Sequence, residues 1–130
     1  MAETGTKLTA AQKIEKARKA LDDLNRRQVD PETYSPDAAF HGVLLGEAKG
    51  RDAIVSSLKN MSQTDDFRGI DTHTVLGDDD HLVALITLKL RRNGQDLDVR
   101  QALIIHANDQ GQITEQWVFP DPASMKQLGR

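Results

Sequence analysis

From Thr9 onward, apolar residues recur at helical spacing: Ile14, Ala17, Leu21 and Leu24, with Ala20 beside them. Lys13, Glu15, Lys16, Arg18, Lys19, Asp22 and Asp23 take the other faces. Thr9 and Gln12 have the form of a capping box, which opens the helix. Arg26 and Arg27 suit its negative C-terminal end, and Pro31 forbids its continuation. Met1 to Leu8 reads as a flexible tail, so residues 9–130 form the single expected domain. Tyr34-Ser-Pro-Asp37 is turn chemistry, Ala38 to Leu45 a short strand, and Gly46 and Gly50 bracket a loop. Ile54, Leu58 and Met61, widened by Val55, predict a second amphipathic helix starting near Gly50 or Arg51. It ends before the polar Ser62 to Asp66 segment.

From Phe67 the period changes to two. Strands are predicted at Phe67 to Leu76, His81 to Arg92, Gln95 to Ala107 and Gln112 to Phe119. Polar turns separate them at Gly77 to Asp80, Asn93-Gly94 and Asn108 to Gly111. Asn93-Gly94 is the strongest hairpin signal of the three, because both turn positions need positive φ. Pro120 and Pro122 stop the last strand, and Ser124 to Leu128 forms a short helical turn. Consecutive hairpins make an antiparallel meander, whose buried face the two helices must cover. The expected class is therefore α+β: a curved antiparallel sheet packed on an N-terminal helix.

Composition narrows the function classes. The chain has 130 residues, enough for one domain with its own core. It has no cysteine, which excludes disulfides and thiolate zinc sites. The net charge is -3, from 17 basic and 20 acidic residues, and there are only three Phe, one Tyr and one Trp. A nucleic-acid binder shows a basic face with interleaved aromatics, and this chain does not. No apolar run is long enough to span a bilayer, and Met1 to Lys7 lack the apolar core of a signal peptide. A cytoplasmic location is the expectation. Asp78, Asp79 and Asp80 are consecutive on a tight turn, where carboxylates diverge; calcium loops space theirs at alternate positions, so no metal is expected there.

Several segments together resemble the SnoaL-like branch of the nuclear transport factor 2-like superfamily. They are Pro36-Asp-Ala-Ala-Phe-His41, Gly50-Arg-Asp-Ala-Ile54, the run from His73 to Leu85, the Asn93-Gly94 hairpin, Gly111-Gln-Ile-Thr-Glu-Gln-Trp117 and Gln127-Leu-Gly129. The resemblance implies a cone-shaped, half-open barrel with the first helix across its mouth and an apolar pocket inside. It implies a small, largely apolar ligand, no cofactor, and homodimers formed through the sheet. Members include polyketide cyclases, ketosteroid isomerase and epoxide hydrolases, alongside non-catalytic binding domains. One departure stands out. Such domains carry a further short helix before the Phe40 strand, whereas Asp30 to Tyr34 leaves space for barely one turn.

Three constellations carry candidate chemistry. The resemblance to the cyclases puts His106, Trp117 and Asp121 in roughly matching places, with Asp121 as base and His106 as acid or electrostatic helper for proton transfer beside a carbonyl. A partly desolvated carboxylate has a raised pKa suited to that task. The competing reading of Asp121 is a turn cap between Pro120 and Pro122. His73, two residues after Asp71, is a second candidate acid, since a neighbouring carboxylate orients an imidazole and raises its basicity. Arg100 with Asp98 offers a polar anchor, loosely like the epoxide hydrolases of the superfamily, or else a surface ion pair. Tyr34, Phe40, Leu58, Trp117 and Phe119 are the expected ligand-contacting residues. Two alternatives stay open: a non-catalytic ligand-binding or dimerising module, and water addition to an epoxide. The catalytic readings require His73, Arg100, His106 or Asp121 to reach the cavity.

Overall fold

The computed structural model describes residues 7–128. Most of the expected tail, and Gly129 of the Gln127-Leu-Gly129 segment together with Arg130, lie outside them. Leu8, assigned to the tail from sequence, donates its N–H to the Asp109 carbonyl at 2.9 Å and so is tied to the turn after Ala107.

Helix α1 spans Ala10–Asn25. The capping box forms in full: Gln12 N–H donates to Thr9 Oγ1 at 3.2 Å, and Thr9 N–H donates to Gln12 Oε1 at 2.8 Å. Ala17, Leu21 and Leu24 are buried beneath the helix. Lys13, which the sequence places on a polar face, is buried with them at 1 % exposure. It stands four residues before Ala17 on the same stripe, and its ammonium donates to the Asp79 carbonyl. Arg27 adopts a left-handed φ of 64° and ends the helix. Its guanidinium donates to the carbonyls of Ser62 at 2.6 Å and Phe67 at 2.7 Å, clamping the end of α1 to the segment that leads into the sheet.

One 3-10 turn, Pro31–Thr33, fills the shortened connection. Strand β1 then runs Tyr34–His41, so the turn expected at Tyr34 to Asp37 is extended backbone instead. Strand β2, Glu47–Lys49, lies in the stretch expected as a loop and pairs antiparallel with β1. Helix α2 spans Arg51–Ser62 and buries Ile54, Val55 and Leu58. Strands β3 (Phe67–Gly77), β4 (His81–Arg92), β5 (Gln95–Ala107) and β6 (Ile113–Pro120) follow within a residue or two of expectation. Helix α3, Pro122–Gln127, ends the described chain.

The six strands make one sheet in the order β2-β1-β6-β5-β4-β3. The meander is antiparallel as expected, but β1 pairs with β6 in parallel, so the sheet is mixed. No hairpin joins β1 to β6, and nothing in the connection forces the two to run in opposite directions. The sheet is curved and unclosed, and α1 packs across its concave side. Strand alternation assigns each residue to a side. On β4, Leu82, Ala84, Ile86, Leu88 and Leu90 are buried; on β5, Val99, Leu103 and Ile105 are. Among the described residues no helix is long and apolar enough to cross a membrane.

Candidate functional site: the cone beneath the first helix

The concave face and α1 enclose a cavity of about 90 Å³. A water needs roughly 10–15 Å³ of such space, so there is room for a small organic molecule. Leu21 and Leu24 of α1 form its roof, Leu58 and Met61 of α2 one wall, and Leu103 and Ile105 of β5 part of the floor. Val43, Leu44 and Leu45 contribute from the loop after β1, and Val43 is 52 % exposed. That loop is closed by the Gly42 N–H donating to the Gly46 carbonyl at 3.0 Å. A β-carbon on Gly42 would stand 2.8 Å from the Phe40 ring, so a glycine here lets the ring turn toward the cavity wall.

Of the expected ligand-contacting residues, Tyr34, Phe40 and Leu58 line this cavity. Tyr34 is held at the start of β1 by Arg51, whose Nε donates to the Tyr34 carbonyl at 2.9 Å. Burial pushes the Tyr34 phenol well above its ordinary range, so its hydroxyl stays protonated and can donate.

The other six candidate residues, His73, Arg100, His106, Trp117, Phe119 and Asp121, do not line it. Arg100, His106, Trp117 and Phe119 have the opposite strand parity from Gln101, Leu103, Ile105, Gln116 and Val118, and so project from the convex side. His73 is exposed on β3 at a register shift between Thr72 and Thr74, on the same outer side as Asp71. Asp121 follows β6 and caps α3, accepting from the Ala123 N–H at 3.3 Å. The capping alternative for Asp121 therefore describes what its carboxylate does. Arg100 donates to it at 2.8 and 3.2 Å, and chiefly this holds the carboxyl below the usual range rather than above it. The sequence paired Arg100 with Asp98; the structure pairs Arg100 with Asp121, and Asp98 with Lys89 at 3.6 Å.

On the convex side these residues do meet one another. His73, Arg100, Phe119 and Asp121 border a shallow open groove with Asp71 and Leu85. Next to it, His106 packs edge-on against Trp117 with ring centres 5.0 Å apart, and His41 stacks on the same indole at 5.4 Å. His41 is bound on both nitrogens by carboxylates, Glu47 at 2.5 Å and Glu115 at 2.7 Å. Glu115 first, then Glu47, raise its pKa, because two acceptors favour the doubly protonated ring.

Sequence reasoning missed the polar groups that do reach the cavity: Gln101, Gln116, and at the rim Gln28, Asp30 and Thr33. Asp30 is the one charged side chain of the lining among the described residues, and its Oδ1 accepts the Glu32 N–H at 2.9 Å. Gln116 and Tyr34 are each only 6 % exposed. Neither side chain has a hydrogen-bond partner among the described residues. Ser35 Oγ is the one fully enclosed polar side-chain atom without a partner among them, so the Gln116 amide and the Tyr34 hydroxyl keep accessible surface, on residues that line the cavity. Strand parity was the signal that could have found Gln101, since it interrupts the apolar series Val99, Leu103, Ile105.

The architecture recurs in solved structures. Bal32a, from a soil-derived mobile gene cassette, superposes with a TM-score of 0.78 at 20% identity, over 93% of this chain and 98% of that one. An LEH-like epoxide hydrolase of M. tuberculosis gives 0.76 at 16% identity, over 91% and 89%. SalBIII, an epoxide hydrolase/cyclase-like enzyme in pyran ring formation in the polyether salinomycin, gives 0.75 at 14% identity, over 88% and 94%. At these identities the likeness is one of fold. No curated protein matches the chain in sequence. Residues 17–116, from the roof of the cavity to its unpartnered glutamine, match the SnoaL-like domain family, and the chain belongs to that family.

Proposed function

We propose that this protein binds an uncharged, largely apolar small molecule inside its cone, as a binding module rather than through the acid–base chemistry expected of His73, His106 and Asp121. The observation that carries this reading is the lining itself. It is built from Leu, Ile, Val, Phe and Met side chains with three inward amide or phenol groups, and its one charged residue among those described stands at the rim. An anionic ligand would meet no opposite charge among the described lining residues, and a cationic one only Asp30 at the rim, so neither is repaid for its desolvation inside the cone. The test is a fluorescence titration with the neutral probe N-phenyl-1-naphthylamine. Saturable binding that Ala20→Phe, at the roof, abolishes supports the cone as the site. Failure to bind, or binding that survives Ala20→Phe, sinks it.

Asp30 favours a second reading, in which the cone is catalytic. Its carboxylate is the sole candidate base among the described lining residues, and similar folds include an epoxide hydrolase and a cyclase-like enzyme. Turnover of an epoxide or a carbonyl compound that Asp30→Asn abolishes, with probe affinity unchanged, would establish it. Turnover that the variant retains would remove Asp30 from the chemistry.

We infer further that a second copy packs on the convex face. Leu85, Ala102 and Phe119 form one cross-strand row there, and Val83, Ile104 and Trp117 another. Phe119 is 55 % exposed and Leu85 39 %. The surrounding charges are of both signs, with Arg100 and Lys89 near Asp71, Asp98 and Glu115, so two-fold related copies can meet with opposite charges facing.

A further inference from the structure

The cone is not uniformly apolar, and its polar groups are unevenly served. Gln116 lies on β6 between Ile105 of β5 and Phe40 of β1, its partners in register. Tyr34 lies opposite Ile113, three positions before Gln116 on β6, and a register shift between Tyr34 and Ala39 lets both residues line the same cavity. Both side chains are nine-tenths buried, and both line the cavity and keep accessible polar surface with no partner among the described residues. Buried polar groups are paired in the great majority of cases, and each exception calls for a reason. An apolar side chain would fill either position in a cone that served only hydrocarbon, because the register partners are apolar: Phe40 and Ile105 for Gln116, and Ile113 for Tyr34.

The kind of group required follows from what these two can offer. The Tyr34 hydroxyl stays protonated and donates. The Gln116 amide donates through its NH2 and accepts through its oxygen. What both can serve is an acceptor oxygen on the ligand. Gln101 extends the polar inventory two cross-strand rows further along β5, beyond Leu103.

We propose that Gln116, assisted by Tyr34, is the specificity-determining residue of the cone, selecting an uncharged hydrocarbon frame that carries a hydrogen-bond-accepting oxygen over the same frame without one. The inference rests on the cone being the binding site proposed above. In the bound state the oxygen takes the amide N–H and the phenol O–H, and the frame takes the Leu and Ile surfaces. Without that oxygen, both donors stay unpaired in a dry site, which is the strongest form of discrimination such a pocket has.

A matched pair of probes tests this: 2-tetralone and tetralin, which share a bicyclic frame and differ by one carbonyl oxygen. Calorimetric titration of the wild type and of Gln116→Met gives four dissociation constants. The ratio of tetralin to tetralone affinity is expected to shift by about fivefold or more toward tetralin in the variant, the worth of one hydrogen bond. In 1H–15N spectra of the wild type, the Gln116 side-chain NH2 pair should move on adding tetralone and stay put on adding tetralin. This second readout needs no variant. Binding of both probes with the same ratio in wild type and variant, or NH2 signals that ignore the ketone, overturns the role of Gln116 while leaving the cone as a site. Failure of the wild type to bind either probe overturns the binding reading itself, and the selectivity with it.

Discussion

Replacing Gln116 with methionine should make the ligand-free protein more stable. Methionine matches glutamine in length and lack of branching, so the stem keeps its contacts with Phe40 and Ile105 while the amide disappears. A buried amide without a partner costs about 1–3 kcal/mol. Solvent entering the cavity recovers part of that, which leaves a gain of about 1 kcal/mol. Over 130 residues, an unfolding entropy of about 2.1 cal/mol/K per residue sums to ~0.27 kcal/mol/K, so Tm should rise by ~4 °C. Differential scanning calorimetry at pH 7 measures the shift. Urea unfolding with an unchanged slope checks that the gain belongs to the native state. A fall in Tm of about 2 °C or more, at unchanged slope, would refute the reasoning. It would mean that the amide is paired inside the protein and supports the fold rather than a ligand. A stabilising substitution at a buried polar position is the signature of a group kept for function.

Three further outcomes are expected. His41 has a raised pKa in the folded chain, so the stability it contributes is complete below its unfolded value of about 6.5 and is lost as pH rises through the folded value. Unfolding free energy followed across that window should fall in the wild type and stay flatter in His41→Phe; identical pH profiles would exclude the Glu115–His41–Glu47 bridge as the cause. Lys13→Met should be at least as stable as the wild type, since it removes a buried ammonium whose one acceptor is a carbonyl in an exposed turn, while Lys13→Ala should lose about 1–3 kcal/mol to the void it leaves; a Met variant down by more than about 1 kcal/mol in urea unfolding would contradict this. Phe119→Asp on the convex face should convert a dimer to a monomer in light scattering behind gel filtration while leaving Tm within a few degrees; a wild type that elutes as a monomer would remove the second copy from this face.

The fold was largely legible from sequence because its signals are local. The capping box at Thr9, the stripe in α1 and the Asn93-Gly94 turn each act within a few residues, and each element formed where its pattern placed it. Two failures were non-local. Tyr34-Ser-Pro-Asp37 has the composition of a turn, but pairing with β6 holds it extended. Glu47 to Lys49 is too short and polar to announce a strand, and becomes one by lying against β1. The cavity was less legible, for a reason particular to β6. Trp117 and Phe119 are the bulky members of that strand, so burial was expected of them, but the convex face is itself apolar there and takes both. The opposite parity, with Gln116 and Val118, looks like the solvent side and lines the cone. Alternation separates two faces but does not say which is inside when both carry apolar residues. Lys13 misled in the same way: its spacing from Ala17 put it on the buried stripe, and its charge suggested otherwise.

The parallel ladder between β1 and β6 also bears on how the polypeptide reaches its native form. The four-stranded meander is joined by tight reversals and can zip up hairpin by hairpin, soon after each segment emerges from the ribosome. The first strand has no such shortcut. Apart from the short β2, its strand partner is the last strand to be synthesised, so the β1–β2 ribbon must wait, with one long edge of β1 unpaired, until the C-terminal segment arrives. Chaperone dependence, and any tendency of nascent chains to aggregate, should therefore concentrate in the interval before Ile113 to Pro120 is available.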